Sequence, residues 1–416
     1  MKRRDFLKLA GAVSLAGCAS TTPSKARVVV VGGGFGGATA AKYIRLWDPS
    51  IDVLLVERDP SFVSCPISNL VLGGYASFDD LVHSYDGLRR HGVHVVQDEA
   101  VAVDASNKTV RLRRNGAVAY ERLIVSPGID FLFGEIEGYE RAMNAGRVLH
   151  AWKGGAQTDA LRKQLAAMAD GGVYILSMTV APYRCPPGPY ERASVIAGYF
   201  KQHKPRSKVI LLDENPDVVS KGPLFKRAWD ELYKGMIEYR PNTKVVHVDG
   251  GSNTVRLEFG DTLKGDVLNI VPPGRASDIA RTAGLVTTNN RWCDVDWRTM
   301  ESKAVKGVHV LGDATLSAPG MPKSGSMANN HAKIAAAAVV AMLNGRSPAP
   351  VKIINTCYSF VSEKEAIRVS SVHEWQDGQS TLVPVKGAGG VSAARSEDEA
   401  KFAWNWARTI WADSLA

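Results

Sequence analysis

No apolar run in the 416 residues approaches the roughly 20 that a helical membrane span needs. Cysteine is also scarce. Five residues, at 18, 65, 185, 293 and 357, are too few and too scattered for a disulfide scaffold or a zinc site. None stands in Cys-x-x-Cys-His, so a covalently held c-type haem cannot sit on this chain. The net charge of +9 is not gathered into basic runs with interleaved aromatics, which removes the footprint of nucleic-acid binding. With 45% apolar and 22% charged residues, the composition is that of a folded globular chain long enough for two or three cores.

Lys2, Arg3, Arg4 and Lys8 supply part of the charge excess, and the run Met1-Lys2-Arg3-Arg4-Asp5-Phe6-Leu7-Lys8 ahead of the small apolar stretch Leu9 to Ala16 reads as a twin-arginine export signal. A periplasmic mature protein is expected. Leu15-Ala16-Gly17-Cys18 also resembles a lipobox, with Cys18 as a lipid-carrying first residue, although cleavage at Ala16, Gly17, Ala19 or Ser20 fits equally. Twin-arginine export carries folded proteins, often with a cofactor inside.

Arg27-Val28-Val29-Val30-Val31 is a continuous apolar run suited to a strand buried on both faces. It leads into Gly32-x-Gly34-x-x-Gly37, a helix over Ala38 to Trp47, a second strand over Asp52 to Val56, and an acid, Glu57. This order lets the chain turn tightly, lets amides approach a pyrophosphate, and sets an acid where ribose hydroxyls would lie. A hairpin about Asn115-Gly116 and a strand at Leu123-Ile124-Val125 follow. The same order recurs from Val173, with a strand to Ser177, a helix over Tyr190 to Lys201, a strand ending at Asp213, and a further strand over Val267 to Val271.

The duplication predicts an α/β fold of two dinucleotide-binding-type domains, flavoprotein disulfide reductase-like, plus a small C-terminal domain. The expected boundaries are a signal and linker over 1–24, an FAD-binding domain over 25–150 with 290–347, a second nucleotide-binding-like domain over 151–289, and a C-terminal domain over 348–416. Gly312-Asp313, after a strand at Val308 to Leu311 and before the helix Ala328 to Asn344, favours FAD over NAD, because a ribityl chain and phosphate need polar partners there. Lys323, near that helix's start, could add positive charge at the flavin's pyrimidine edge, or be a solvated loop lysine. The second copy has Met178-Thr179-Val180-Ala181-Pro182 in place of a glycine turn, so it lacks a phosphate cradle for NAD(P)H. On the last helix, Phe402, Trp406 and Ile410 form an apolar stripe expected to dock on the core.

From these residues the chain resembles the flavoprotein subunit of flavocytochrome c sulfide dehydrogenase. The likeness runs through Val29-Val30-Val31-Gly32-Gly33-Gly34, Tyr85-Asp86-Gly87-Leu88, Met321-Pro322-Lys323-Ser324-Gly325 and Asn355-Thr356-Cys357-Tyr358-Ser359, and above all Arg184-Cys185-Pro186-Pro187-Gly188-Pro189-Tyr190-Glu191-Arg192. The resemblance implies that Cys65, in Ser64-Cys65-Pro66-Ile67-Ser68-Asn69, carries FAD through a thioether, whereas composition alone reads it as a small buried apolar residue. It implies that Cys185 and Cys357 form a redox disulfide attacked by hydrosulfide, although a structural bridge between domains fits the spacing equally well. Glu191 matches an acid near the family's active site that could move the sulfide proton; it is otherwise a solvated helix glutamate. Cys293 has no partner and reads as an inert buried thiol.

The expected activity is hydrosulfide oxidation to sulfur or polysulfide, with electrons passed through FAD to a separate c-type cytochrome; no metal site is expected. Two rivals share most of these features. One is a sulfide:quinone oxidoreductase, disfavoured by the export signal and the Cys65 match; the other is a flavin-bearing subunit that only docks a cytochrome, disfavoured by Cys185, Glu191 and Cys357 occurring together.

Overall fold

The computed structural model describes residues 26–416, so the expected export signal and Cys18 lie outside the described residues. Val28, Val29 and Val30 are fully buried because the strand Ala26–Val31 sits inside a parallel sheet, between Ile51–Glu57 and Arg122–Val125. Val93–Gln97 extends that sheet on one side and Val308–Val310 on the other, both in parallel register. Glu301–Ser302 and Val295–Asp296 then finish a seven-stranded sheet in antiparallel fashion. Helix Phe35–Trp47 covers one face and packs against the alanine-rich helix Gly325–Leu343, whose small residues allow close approach.

A second sheet repeats the plan with five parallel strands, in the order Val148–Leu149, Val267–Ile270, Val173–Met178, Lys208–Asp213, Ile237–Arg240. Each sheet is accompanied by a three-stranded antiparallel unit, Ala100–Asp104 to Ala117–Ala119 in the first and Val245–Asp249 to Thr262–Lys264 in the second. The chain crosses between the two at Ile129–Phe131 and returns at Gly274–Ala276, and these crossings pair with each other. The fold is therefore the expected α/β doubling of the flavoprotein disulfide reductase type.

Lys352–Phe360, Ala366–Gln376 and Thr381–Val391 form a separate antiparallel meander, followed by helix Glu397–Leu415. The helix docks on the core as expected, burying Ile410 with Ala400, Ala403, Ala407 and Trp411 and half-burying Trp406, but Phe402, the first residue of the expected stripe, is 54% exposed. The stripe was drawn from large residues, but tight packing admits the alanines and turns Phe402 out. Polar contacts fix the helix end. Lys42 Nζ donates to the carbonyls of Ala412 (2.9 Å) and Asp413 (3.1 Å), and Asp413 accepts from Tyr43 (2.5 Å) and Asn329 (2.7 Å). At Gly87 a Cβ would stand 1.9 Å from the Leu415 carbonyl oxygen, so this docking requires glycine there.

Among the described residues no helix is long and apolar enough to cross a membrane, and no cluster of side chains could hold a metal ion.

Candidate active site

The two sheets, the meander and the last helix meet around a cavity of about 590 Å³. Its floor is the glycine turn. Gly32 adopts φ +94, and a Cβ there would lie 2.3 Å from the Ser126 carbonyl oxygen; a Cβ on Gly37 would lie 1.8 Å from the Gly32 carbonyl oxygen. Both glycines are thus demanded by the close packing of strand and helix. Gly34 is different. A Cβ on it would meet no protein atom within 4 Å, because it faces the open cavity. Glu57 holds the turn in shape, its carboxylate accepting from the amides of Gly33 (2.6 Å) and Asp59 (3.0 Å).

Adjoining the turn are Gly312-Asp313 and the start of helix Gly325–Leu343, where Ser324, Gly325 and Ser326 line the space. Gly312 takes φ +69. Asp313 Oδ1 is buried without a hydrogen-bond partner, while Oδ2 faces Arg184 at 3.4 Å. A buried acceptor with no donor is costly unless something brings one. The open cradle at Gly34, the acid at Glu57 and the unpartnered Asp313 oxygen together suit an elongated ligand with a pyrophosphate and polyhydroxyl chain, which is how FAD is built.

Lys323 departs from its expected place. It is 5% exposed, which excludes a solvated loop lysine, and it does not line the cavity. Its ammonium donates to the carbonyls of Asp313 (3.0 Å) and Thr315 and lies 3.9 Å from the centre of the Trp292 ring, and burial pushes its pKa down to about 8. What that corner presents to the cavity is helix N-terminal amide and serine.

Cys65, Cys185, Glu191 and Cys357 all line the same cavity. The Cys65 sulfur accepts from Arg184 Nη2 (2.5 Å) and from the Gly154 amide (2.9 Å). Its neighbour Ser64 is fully buried and accepts from Trp411 Nε1 (2.8 Å), so the last helix pins this loop. Ile67, two residues on, is held at φ +74, a strained conformation for a β-branched residue.

Cys185 also has left-handed backbone, φ +59, and its amide donates to the Lys323 carbonyl at 2.8 Å. Cys357 comes from the middle of strand Lys352–Phe360. Both are free thiols here, with no bond between the sulfurs. Burial raises the pKa of each, and charge on Cys357 raises that of Cys185 further.

Glu191 is a tie rather than a solvated helix glutamate. Its Oε2 accepts from Asn69 Nδ2 (2.8 Å) and its Oε1 from the Phe360 amide (2.8 Å), joining the segments that carry Cys65 and Cys357. Burial raises its pKa against the opposing pull of those hydrogen bonds. Cys293 is buried, with its thiol pushed up to about 12 by desolvation, and it does not line the cavity.

In the second sheet, the space beside Asp213 is filled from within. Tyr190 (2.7 Å) and Tyr239 (3.0 Å) donate to its carboxylate, and Asn215 closes the turn from Thr179 to Ala181. Arg184 and Asn69 stand inside runs that carry the family resemblance, whereas Lys221 and Trp411, which hold the Cys357 and Cys65 segments from outside the cavity, are marked by no local pattern. Their partners are far away along the chain.

Three family models match the chain. The central domain of the sulfide dehydrogenase [flavocytochrome c] flavoprotein chain matches residues 158–272, the flavocytochrome c sulphide dehydrogenase flavin-binding domain 349–415, and pyridine nucleotide-disulphide oxidoreductase 26–175. A sulfide dehydrogenase [flavocytochrome c] flavoprotein chain from Chlorobaculum thiosulfatiphilum is 69% identical over 45 residues, which is 11% of this chain and 94% of that sequence. The mitochondrial sulfide:quinone oxidoreductase of Mus musculus is 23% identical over 323 residues, covering 74% and 71% of the two chains. Among solved structures, the sulfide:quinone oxidoreductase of Aquifex aeolicus superposes with a TM-score of 0.77 at 17% identity, covering 93% of this chain and 91% of its own, a likeness of fold.

Proposed function

Because the chain belongs to the family of flavocytochrome c sulfide dehydrogenase flavoproteins, we propose that hydrosulfide is oxidised at Cys185 and Cys357, beside an FAD joined to Cys65. The chain is a sulfide-oxidising, FAD-dependent flavoprotein, and the family name implies a cytochrome c partner. Bound FAD would supply an acceptor for the electron pair released by the sulfur chemistry and a means of passing it on singly.

In this reading Gly34, Glu57 and Asp313 hold the cofactor's phosphates and hydroxyls, with Gly32 and Gly37 fixing the turn. Arg184 and the Gly154 amide orient the Cys65 sulfur for its thioether. When Cys185 and Cys357 are joined, hydrosulfide attacks one sulfur, the S–S bond breaks, and the other sulfur leaves as a thiolate. Glu191, with both oxygens occupied, keeps the two cysteine-bearing segments together, and its raised pKa suits it to hold a proton beside them. The acceptor we propose is a periplasmic c-type cytochrome. The observation that carries the reading is the convergence of Cys65, Cys185, Glu191 and Cys357 on one cavity from three parts of the chain.

The test is anaerobic flavin bleaching by sulfide in Cys185→Ser and Cys357→Ser, with the melting temperature of each. Loss of bleaching by orders of magnitude in both, with flavin retained, is expected, since nucleophile and leaving group act as one unit. Near-normal bleaching with a lowered melting temperature would instead assign the pair a structural role.

A further inference from the structure

One buried charge is left without a part in the chemistry above. Lys221 is 6% exposed and precedes helix Gly222–Leu232 with left-handed backbone, φ +57. Its ammonium donates to the Cys357 carbonyl oxygen (3.2 Å) and to Ser359 Oγ (2.8 Å). It also lies 5.9 Å from the centre of the Phe225 ring. Among the described residues, no carboxylate comes within ion-pair distance of it. An ammonium taken out of water is costly unless a counter-charge faces it, and neutral oxygens compensate only in part.

The ionisable groups whose charge acts on Lys221 are, in falling order, Cys357, Glu191, Cys185 and Glu399. Glu191 is engaged with Asn69 and the Phe360 amide, and Glu399 with Ser392 and Arg368. Cys357 is the group that has no other partner for a negative charge. The environments of the two sulfurs are unequal. Burial raises both thiols and Glu191 adds to the rise at each, but Lys221 opposes it at Cys357, whereas at Cys185 charge on Cys357 adds to it further. Arg184, which opposes the rise at Cys185, is shared with Cys65 and Asp313.

We propose that Lys221 is a positioning residue that serves as the fixed counter-charge of the Cys357 thiolate, making Cys357 the sulfur released when hydrosulfide opens the pair. This rests on the disulfide reading above. A lone pair of hydrosulfide forms a bond to Cys185 Sγ, the Cys185–Cys357 bond breaks, and its electron pair stays on Cys357 Sγ. The proton remains on the incoming sulfur as a persulfide, and the departing thiolate needs none because its charge is met by the ammonium held at the carbonyl of its own residue and at Ser359. A better stabilised leaving thiolate departs faster.

The experiment uses the purified holoprotein, reduced anaerobically with a phosphine and alkylated with iodoacetamide across a pH series, each cysteine being quantified by mass spectrometry. In the unmodified protein the midpoint for Cys357 should lie below that for Cys185, and the reverse order overturns the proposal without need of a variant. Lys221→Met should move the Cys357 midpoint up by at least one pH unit, a tenfold slower alkylation at neutral pH, and move that of Cys185 by clearly less; Lys221→Arg should restore the Cys357 midpoint. An unmoved Cys357 profile in Lys221→Met, or an equal shift of both cysteines, refutes the role. Sulfide bleaching of the cysteine variants tests the disulfide separately, so failure of that reading is distinguishable from failure of this one.

Discussion

Gly34 and Gly37 sit three residues apart, yet the structure assigns them opposite sensitivities. Gly34 has φ −69 and ψ −172, a conformation open to any residue, and empty space where a Cβ would go. Replacing it with alanine stabilises the chain by about 0.4–1 kcal/mol through the unfolded state. A poorer helix N-cap costs a similar amount. The net change should stay within about 0.5 kcal/mol, or about 2 °C in melting temperature for a chain of this size. The added methyl nevertheless stands in the cradle, and overpacking by one such group typically costs about 1–3 kcal/mol. Flavin affinity should therefore fall by roughly 5- to 150-fold. Gly37→Ala places its methyl 1.8 Å from the Gly32 carbonyl oxygen, so strand and helix must separate by more than 1 Å and both stability and flavin binding should fail. Flavin titration in a Cys65→Ala background, where binding is reversible, and thermal melting of the flavin-free protein measure the two effects. Unchanged affinity in Gly34→Ala, or a melting loss equal to that of Gly37→Ala, would refute the assignment of Gly34 to the cradle.

Acid precipitation should leave yellow colour in the pellet of the unmodified protein and release it from Cys65→Ala; colour wholly in the supernatant of the former refutes the thioether. Lys323 has a folded pKa of about 8 against an ordinary 10.5, so the unfolded chain binds more protons between those values and stability should rise with pH across that window, by about 3 kcal/mol at 1.36 kcal/mol per unit. Urea unfolding at pH 8 and pH 10.5 should show this increment in the unmodified protein and lack it in Lys323→Met. Trp411→Phe removes the donor to buried Ser64 and should destabilise the chain by about 1–3 kcal/mol, read as a lowered urea midpoint. NADH should reduce the flavin poorly, since Tyr190 and Tyr239 occupy the carboxylate of Asp213; rapid bleaching at low NADH concentration in stopped flow would contradict this.

The first sheet was legible because its signals are local: four consecutive valines, glycines at fixed offsets, and an acid at the end of the next strand. The last helix was legible as a helix and, through Ile410 and Trp406, in part of its docked face, but not at Phe402, since hydrophobicity ranks Phe402 above Ala403 and Ala407 while close packing ranks them the other way. The cysteines could be brought together only through family resemblance. Their supporting contacts, Arg184 to Cys65 across 119 positions and Lys221 to Cys357 across 136, follow no period that a local window contains. Lys323 was drawn to the cavity by its neighbourhood in sequence, but the two carbonyls it caps hold it behind the wall.

The hydrogen bond from Trp411 to Ser64 spans 347 positions. Synthesis reaches Trp411 only after every strand of both sheets has been made, so the loop that carries Cys65 remains unlatched throughout the assembly of the rest. Closing so long a loop is entropically little worse than closing one half its length. The delay is thus one of timing rather than of free energy. The last helix acts as a late bolt: Ala403 and Trp406 line the cavity, so its wall is complete only once the helix has docked through Gly87 and Asp413.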